Sequence, residues 1–349
     1  MKKALSKLSR TKKTDAPVGR ITTDTLAEHR EKVLAGGRRF KYPVQYARHK
    51  LVINAILIGI GAIIILGFIG WWQLYQAHNT SDFMYRVSKV FALPVAKVDG
   101  QTVLYSDYLM RYRSSIQYLL ERDQVNLSTE DGKQHMDSIK RRELDGAIAD
   151  AYAAKLAREQ GIVVTDAELE EFLIQQRKST DGDVSEATYN AVILDYYGWS
   201  PDQYRHAMKN KLIRQKVSFA IDAKASGYVE KIDELKRTGQ GDLKKIANNL
   251  NKDDSSAVTY SAPIWVPRTN HDGGLAEVAA GLKKGEISSP IKISKGTGYY
   301  FVKLVDSNAS QVEYELIHVP LTEFDARLKA VVDNGGVQEY IEVPGVEEL

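Results

Sequence analysis

Cysteine is absent from all 349 residues. That excludes disulfides, cysteine-based zinc sites and a thiol nucleophile. It leaves the compartment open, since a cysteine-free chain can serve on either side of a membrane. The seven histidines, at 29, 49, 78, 135, 206, 271 and 318, include no His-x-x-x-His pair. No metal site and no cofactor are therefore expected. Gly-x-Ser-x-Gly and phosphate-binding loops are missing too, and Gly59-Ile-Gly61 sits in an apolar run rather than after a strand. Basic residues are not interleaved with stacking aromatics, which argues against nucleic acid.

Charge is also missing from one long stretch. No Asp, Glu, Lys or Arg occurs from 51 to 81. Leu51 to Trp72 reads LVINAILIGIGAIIILGFIGWW. About 20 apolar residues suffice to cross a bilayer as a helix, which satisfies its own backbone hydrogen bonds. Trp71, Trp72 and Tyr75 suit a headgroup-level aromatic belt. A cleaved signal peptide has a shorter apolar core and a small-residue cleavage site. The run therefore reads as an uncleaved signal anchor over 51–75, with the lipid bilayer as its partner.

Charge is distributed unevenly around it. Residues 1–50 hold 14 Lys+Arg against 4 Asp+Glu, leaving 34 against 41 in the rest. Residues 31–50 carry six basic side chains and 76–95 carry two, Arg86 and Lys89. The positive-inside rule then places the tail in the cytoplasm and the body outside, as a single-pass membrane protein. The basic tail serves as the topology signal or also binds anionic lipid; both readings stay open. A short helix is expected over Asp24–Ala35, capped by Thr23 and ended by Gly36-Gly37, with a disordered stretch at Met1–Pro17.

Beyond a linker at 76–94, Val95–Val103 reads as a β-hairpin around Asp99-Gly100, a type I′ turn pair. Ser106 is the expected cap of a helix to Arg122, and Asn126–Lys133 reads as a loop. A long helix is expected over Gln134–Gln160, with Leu144, Ile148, Ala151 and Lys155 on one face and Gly161 as its stop. Thr165-Asp-Ala-Glu168 is a capping box, and Ser200-Pro-Asp-Gln203 another, with proline at the first helical position. Ser185–Tyr197 lies between them as a helix ended by Gly198. Tyr204, Met208, Leu212 and Val217 should point inward, and the helix should end near Ile221.

Taken in order, VAKVDGQTVLYSDY, AKLAREQGIVVTDAELEEF and YGWSPDQYRHAMKNKLIRQKV resemble the N-terminal chaperone domain of SurA/PrsA-type foldases. Further on, Gly241–Leu250, LAEVAAGLKKGEISSPI and Gly298–Leu304 resemble a parvulin domain, a peptidyl-prolyl isomerase. The fold implied is α+β: one transmembrane helix, a mainly helical SurA-N-like domain over 95–221, and a small parvulin-like domain over 222–349 with a four-stranded antiparallel sheet. The implied function is that of a membrane-anchored extracytoplasmic foldase binding unfolded or proline-containing polypeptide. An inactive holdase or envelope adaptor is the alternative.

The isomerase needs no nucleophile, only a pocket that favours the twisted amide. The resemblance implies a first-strand His, a later-strand His, and a Cys or Asp beside them. Here Tyr300 stands at the later His, and Ala262 at the acid. No opening strand precedes the helix near Tyr228, where Phe219-Ala-Ile-Asp-Ala-Lys-Ala carries no His. Val312–Val319 alternates like that missing strand and leads into a helix at Leu321–Val332. It either fills the missing slot, as in a circular permutation, or is an extra hairpin or truncated repeat. Pairing Val305 with Val312 would set Tyr299 opposite His318. Tyr300, His318 and Tyr299 are the candidate catalytic residues. Trp265, Phe301 and Ile264 are the candidate substrate-binding residues. His271-Asp-Gly-Gly274 reads as a turn.

Overall fold

The computed structural model describes residues 22–344, apart from positions 42, 124, 180, 181, 253, 256 and 294–297. The stretch Met1–Pro17 lies outside the described residues. The chain divides into two compact units, with the break after Gly70.

The first unit holds α1 (Thr23–Lys41) and most of α2 (Pro43–Tyr75). Thr23 is the first residue of α1 rather than its cap; Thr22 N–H donates to Thr25 Oγ1 at 2.9 Å. The helix runs on through Gly36 and Gly37, which lack positive φ. Each glycine costs a helix about 1 kcal/mol relative to alanine, a penalty but not a barrier. Within α2, His49–Tyr75 is long and apolar enough to cross a membrane. Its Ile53, Ile58, Ile63 and Leu66 are all exposed.

The second unit opens with the last turn of α2, then α3 (Asp82–Val90). Residues expected as a linker thus include a helix, whose Met84 and Tyr85 enter the core beside Leu74. The hairpin follows as β1 (Pro94–Val98) and β2 (Gln101–Leu104). Asp99 and Gly100 have φ of 47° and 79°, the left-handed pair that a type I′ turn requires. Next come α4 (Tyr105–Glu121) and α5 (Glu130–Glu159). Leu104, not Ser106, occupies the cap position of α4, and Ser106 is buried inside the helix. Helix α5 starts four residues before the expected Gln134, because the Thr129 hydroxyl accepts Gly132 N–H at 3.1 Å. Lys155 reaches from α5 to Asp99 at the hairpin turn.

Both capping boxes form. Thr165 and Glu168 open α6 (Asp166–Arg177), and Ser200 and Gln203 open α8 (Pro201–Ile221). Between them lie the two-residue strands β3 (Lys178–Ser179) and β4 (Gly182–Asp183), then α7 (Glu186–Tyr197), capped by Ser185. Leu169, Phe172, Ile193, Tyr204 and Leu212 form one core; Val217 joins the larger core of α4 and α5.

The rest begins with α9 (Ala223–Arg237), α10 (Leu243–Leu250), β5 (Thr259–Pro267), α11 (Leu275–Gly281) and β6 (Ile291–Lys292). Strands β7 (Gly298–Ser307) and β8 (Gln311–Pro320) follow. The four strands make an antiparallel sheet in the order β5-β8-β7-β6. Its alternation splits the apolar residues cleanly. Tyr299, Phe301, Ile317 and Val319 pack against α9 and α10, whereas Val302, Leu304, Val312 and Tyr314 pack against α11. The expected turn at His271–Gly274 leads into α11, where Asp272 accepts from Ala276 N–H at 3.1 Å and from the Tyr314 hydroxyl at 2.7 Å.

The chain then returns to the helical core. Phe324, on α12 (Glu323–Asp333), packs with Tyr152, and Ile341 joins the same core. The strand β9 (Val337–Glu339) pairs with β1, making a second sheet in the order β2-β1-β9. The stretch 222–349, expected as one domain, is therefore divided in its packing at about Thr322. Asp222 joins the two crossings. It is buried, caps α9 through Ala225 N–H at 2.8 Å, and accepts Thr322 and Glu323 N–H at 2.7 and 3.1 Å.

Candidate functional site

Strand register decides which candidate residues meet. Tyr300 pairs with His318, and Tyr299 with Val319. The expected pairing of Tyr299 with His318 is thus wrong by one position. The register shifts between Leu304 and Asp306, so Val305 is an extra residue that counting back from the turn does not reveal. One step moves each side chain to the other face. Tyr300 and His318 share the α11 face and stack, with ring centroids 4.4 Å apart and planes 18° from parallel. Tyr299 lies on the opposite face, edge-on to Phe219 at 5.0 Å. The three proposed catalytic side chains therefore do not form one cluster.

His318 is partly buried, and its Nε2 has no hydrogen-bond partner among the described residues. Burial pushes its pKa below the ordinary histidine value of 6.5 and favours the neutral ring. Gly298 comes close to this ring: a Cβ there would lie 2.7 Å from His318 Nε2 and 2.1 Å from Val319 O. Only glycine permits that approach.

The candidate substrate-binding residues also separate. Phe301 is fully buried in the α9–α10 core, with Lys236 Nζ 5.2 Å above its ring. Ile264 and Trp265 are exposed on β5, which is an edge strand. Ala262 and Pro263 fall where the β5–β8 register shifts.

Two clefts in the second unit are lined by other residues. One, of ≈ 480 Å³, is lined by α6, α8 and β6, with Phe172, Leu212, Phe219, Lys216 and Lys292 among its walls. Tyr299 backs it through Phe219, and Lys292 Nζ sits 4.9 and 5.3 Å from those two rings. Glu168 stands on its rim, donated to by Lys216 at 2.6 Å and by Thr165, which hold its pKa at about 2. The second cleft, of ≈ 490 Å³, is lined by Tyr118, Leu119, Ile139 and Tyr197, with His135 and Arg142. Tyr118 stacks on Tyr197 at 5.8 Å, and Tyr197 on Trp199 at 5.6 Å. Leu120, Val192 and Leu194 on α4 and α7 are exposed. Helical spacing alone did not reveal this surface, because its residues come from three helices separated in the chain.

Residues 45–218 match the family model of the SurA-like N-terminal domain. The match runs from the apolar helix to near the end of α8. It points to a chaperone-type function and to unfolded polypeptide as the client. No curated protein and no solved structure gives a significant match.

Proposed function

We propose that this protein is a membrane-anchored extracytoplasmic foldase that binds unfolded or proline-containing polypeptide through its helical core and carries a parvulin-type sheet beside it. One observation carries the reading: a single family match covers the apolar helix and the capped helices together, which supports reading them as anchor and chaperone module of one unit of sequence. The aromatic cleft at Tyr118 and Tyr197, with Leu120 and Leu194 exposed on the same helices, offers apolar contact without a specific chemistry. Such a surface suits clients of many sequences.

The sheet supports the circularly permuted reading. Strand β8 lies between β5 and β7, the place a first strand with a histidine would take, and brings His318 to Tyr300. Tyr300 in place of a second His, and Ala262 in place of an acid, favour the second reading, a holdase with little or no isomerase activity.

The full chain in lipid nanodiscs should suppress aggregation of an unfolded test protein at near-stoichiometric ratio. Leu120→Asp with Leu194→Asp should weaken this, since both side chains are exposed and their loss spares the core. No suppression at large excess would overturn the chaperone reading. A reporter fused after Leu349 should be active only outside the cytoplasm.

A further inference from the structure

Helix α3 has two apolar faces, and the protein buries only one. Met84 and Tyr85 enter the core with Leu74 and Tyr75. On the other side Phe83, Val90 and Phe91 are 67%, 77% and 69% exposed. Val90 is also more exposed than Ile58 of α2, which is 72% exposed. Phe83 and Val90 are seven residues apart and so lie along one stripe. Arg86 and Lys89 follow on one side of it, with Arg86 paired to Asp82 at 2.7 Å.

The chain holds this stripe next to the end of α2. Only residues 76–81 connect the helices, which limits the gap to about 20 Å even if extended. The connection is in fact folded back: Ala77 N–H donates to Trp72 O at 3.0 Å, and Asn79 N–H to Gln73 O at 2.8 Å. Tyr105 donates to Leu74 O at 2.7 Å, Tyr75 to Pro94 O at 2.6 Å, and Leu93 N–H to Ser88 O at 3.1 Å. Trp71 and Trp72, also exposed, lie one turn before that end.

We propose that the Phe83–Val90–Phe91 face of α3 seats on the lipid surface where α2 emerges, as a second, interfacial contact with the bilayer. The inference rests on α2 being a membrane span. Continuity with that span selects lipid as the occupant. Aromatic rings and a short apolar stripe with basic side chains along one side suit the boundary between headgroups and acyl chains. A second contact would tie the body to the bilayer at more than one point.

The absence of cysteine makes the test direct. Single variants Phe83→Cys, Val90→Cys, Phe91→Cys, Gly59→Cys and Lys245→Cys each carry one fluorophore on the full-length chain. The proteins are reconstituted in phosphatidylcholine–phosphatidylglycerol vesicles and quenched by spin-labelled lipid or by aqueous iodide. Labels at 83, 90 and 91 should be quenched by shallow spin-labelled lipid and lose iodide quenching relative to 245. Iodide access at 83, 90 and 91 equal to that at 245, with lipid quenching kept at 59, overturns the interfacial contact and leaves the anchor standing. No lipid quenching at 59 overturns both. Shielding of 83, 90 and 91 from both quenchers means that protein covers the face, and also overturns the proposal.

Discussion

The Tyr300 ring lies nearly parallel to the His318 imidazole, and the two residues are direct partners across β7 and β8. A neutral, partly buried imidazole beside a phenol differs from a pair of imidazoles. Prolyl isomerisation by the full chain should therefore be weak or absent in an exchange assay on a prolyl peptide. Where turnover is measurable, His318→Ala should lower it by about tenfold or more, roughly 1.4 kcal/mol of barrier. His271→Ala, in the turn before α11, should leave it unchanged. Parvulin-like turnover that survives His318→Ala would refute this site.

Asp222 gives a stability prediction. Asp222→Ala removes three backbone contacts, two of them to N–H groups a hundred residues away at Thr322 and Glu323. Unfolding in denaturant should show a loss of about 2–4 kcal/mol, since hydrogen bonds to a charged group are strong and their orphaned donors costly. Asp222→Asn, which keeps a cap acceptor, should lose less.

Two histidines should tilt the pH dependence of stability in opposite directions. A hydrogen bond to Asp107, 3.0 Å away, raises the pKa of His206 above 6.5 in the folded protein. Its contribution is full below 6.5 and is lost as pH rises through the folded value. His318 is lowered instead, so below 6.5 the unfolded chain takes up a proton more readily and stability falls with acidification. Denaturant midpoints measured from pH 5 to 8 should show His206→Gln removing the loss on the alkaline side. His318→Asn should remove the loss on the acid side. Unchanged profiles would count against both assignments.

Burial separates the side chains once grouped as substrate contacts. Phe301→Ala should cost about 3–5 kcal/mol of stability, as for other fully buried aromatics. Trp265→Ala and Ile264→Ala should change stability by no more than about 0.5 kcal/mol. If β5 contacts clients, these two variants should weaken binding of an extended peptide, measured by fluorescence anisotropy. A fold that tolerates Phe301→Ala but not Trp265→Ala would contradict this packing.

Local chemistry was legible where a few adjacent residues settle the matter. Thr165-x-x-Glu168, Ser200-Pro-x-Gln203 and Asp99-Gly100 each carry their own cap or turn. The alternation of Val312–Val319 likewise marked β8. What stayed hidden depends on residues far apart. The extra Val305 changes which ring faces His318, and it becomes visible only once β7 and β8 are paired. Helix α3 is only nine residues long and lies between the long apolar run and the hairpin, so its Ser81 cap and its polar side of Asp82, Arg86 and Lys89 went unread. The aromatic cleft needs Tyr118, Ile139 and Tyr197 together, and nothing in their spacing links them. The pairing of β9 with β1 leaves no mark in either short segment.

That last pairing sets a timetable for synthesis. Arg141 finds Glu339 198 residues later, at 2.7 Å. At about 5–20 residues per second, the ribosome needs about 10–40 s to bridge that interval. Until then β1 has an unpaired edge, and Phe324 and Ile341 are missing from the core around Tyr152. The segment that follows the apolar helix is made early and closes late. For those seconds the chain is itself an unfinished polypeptide.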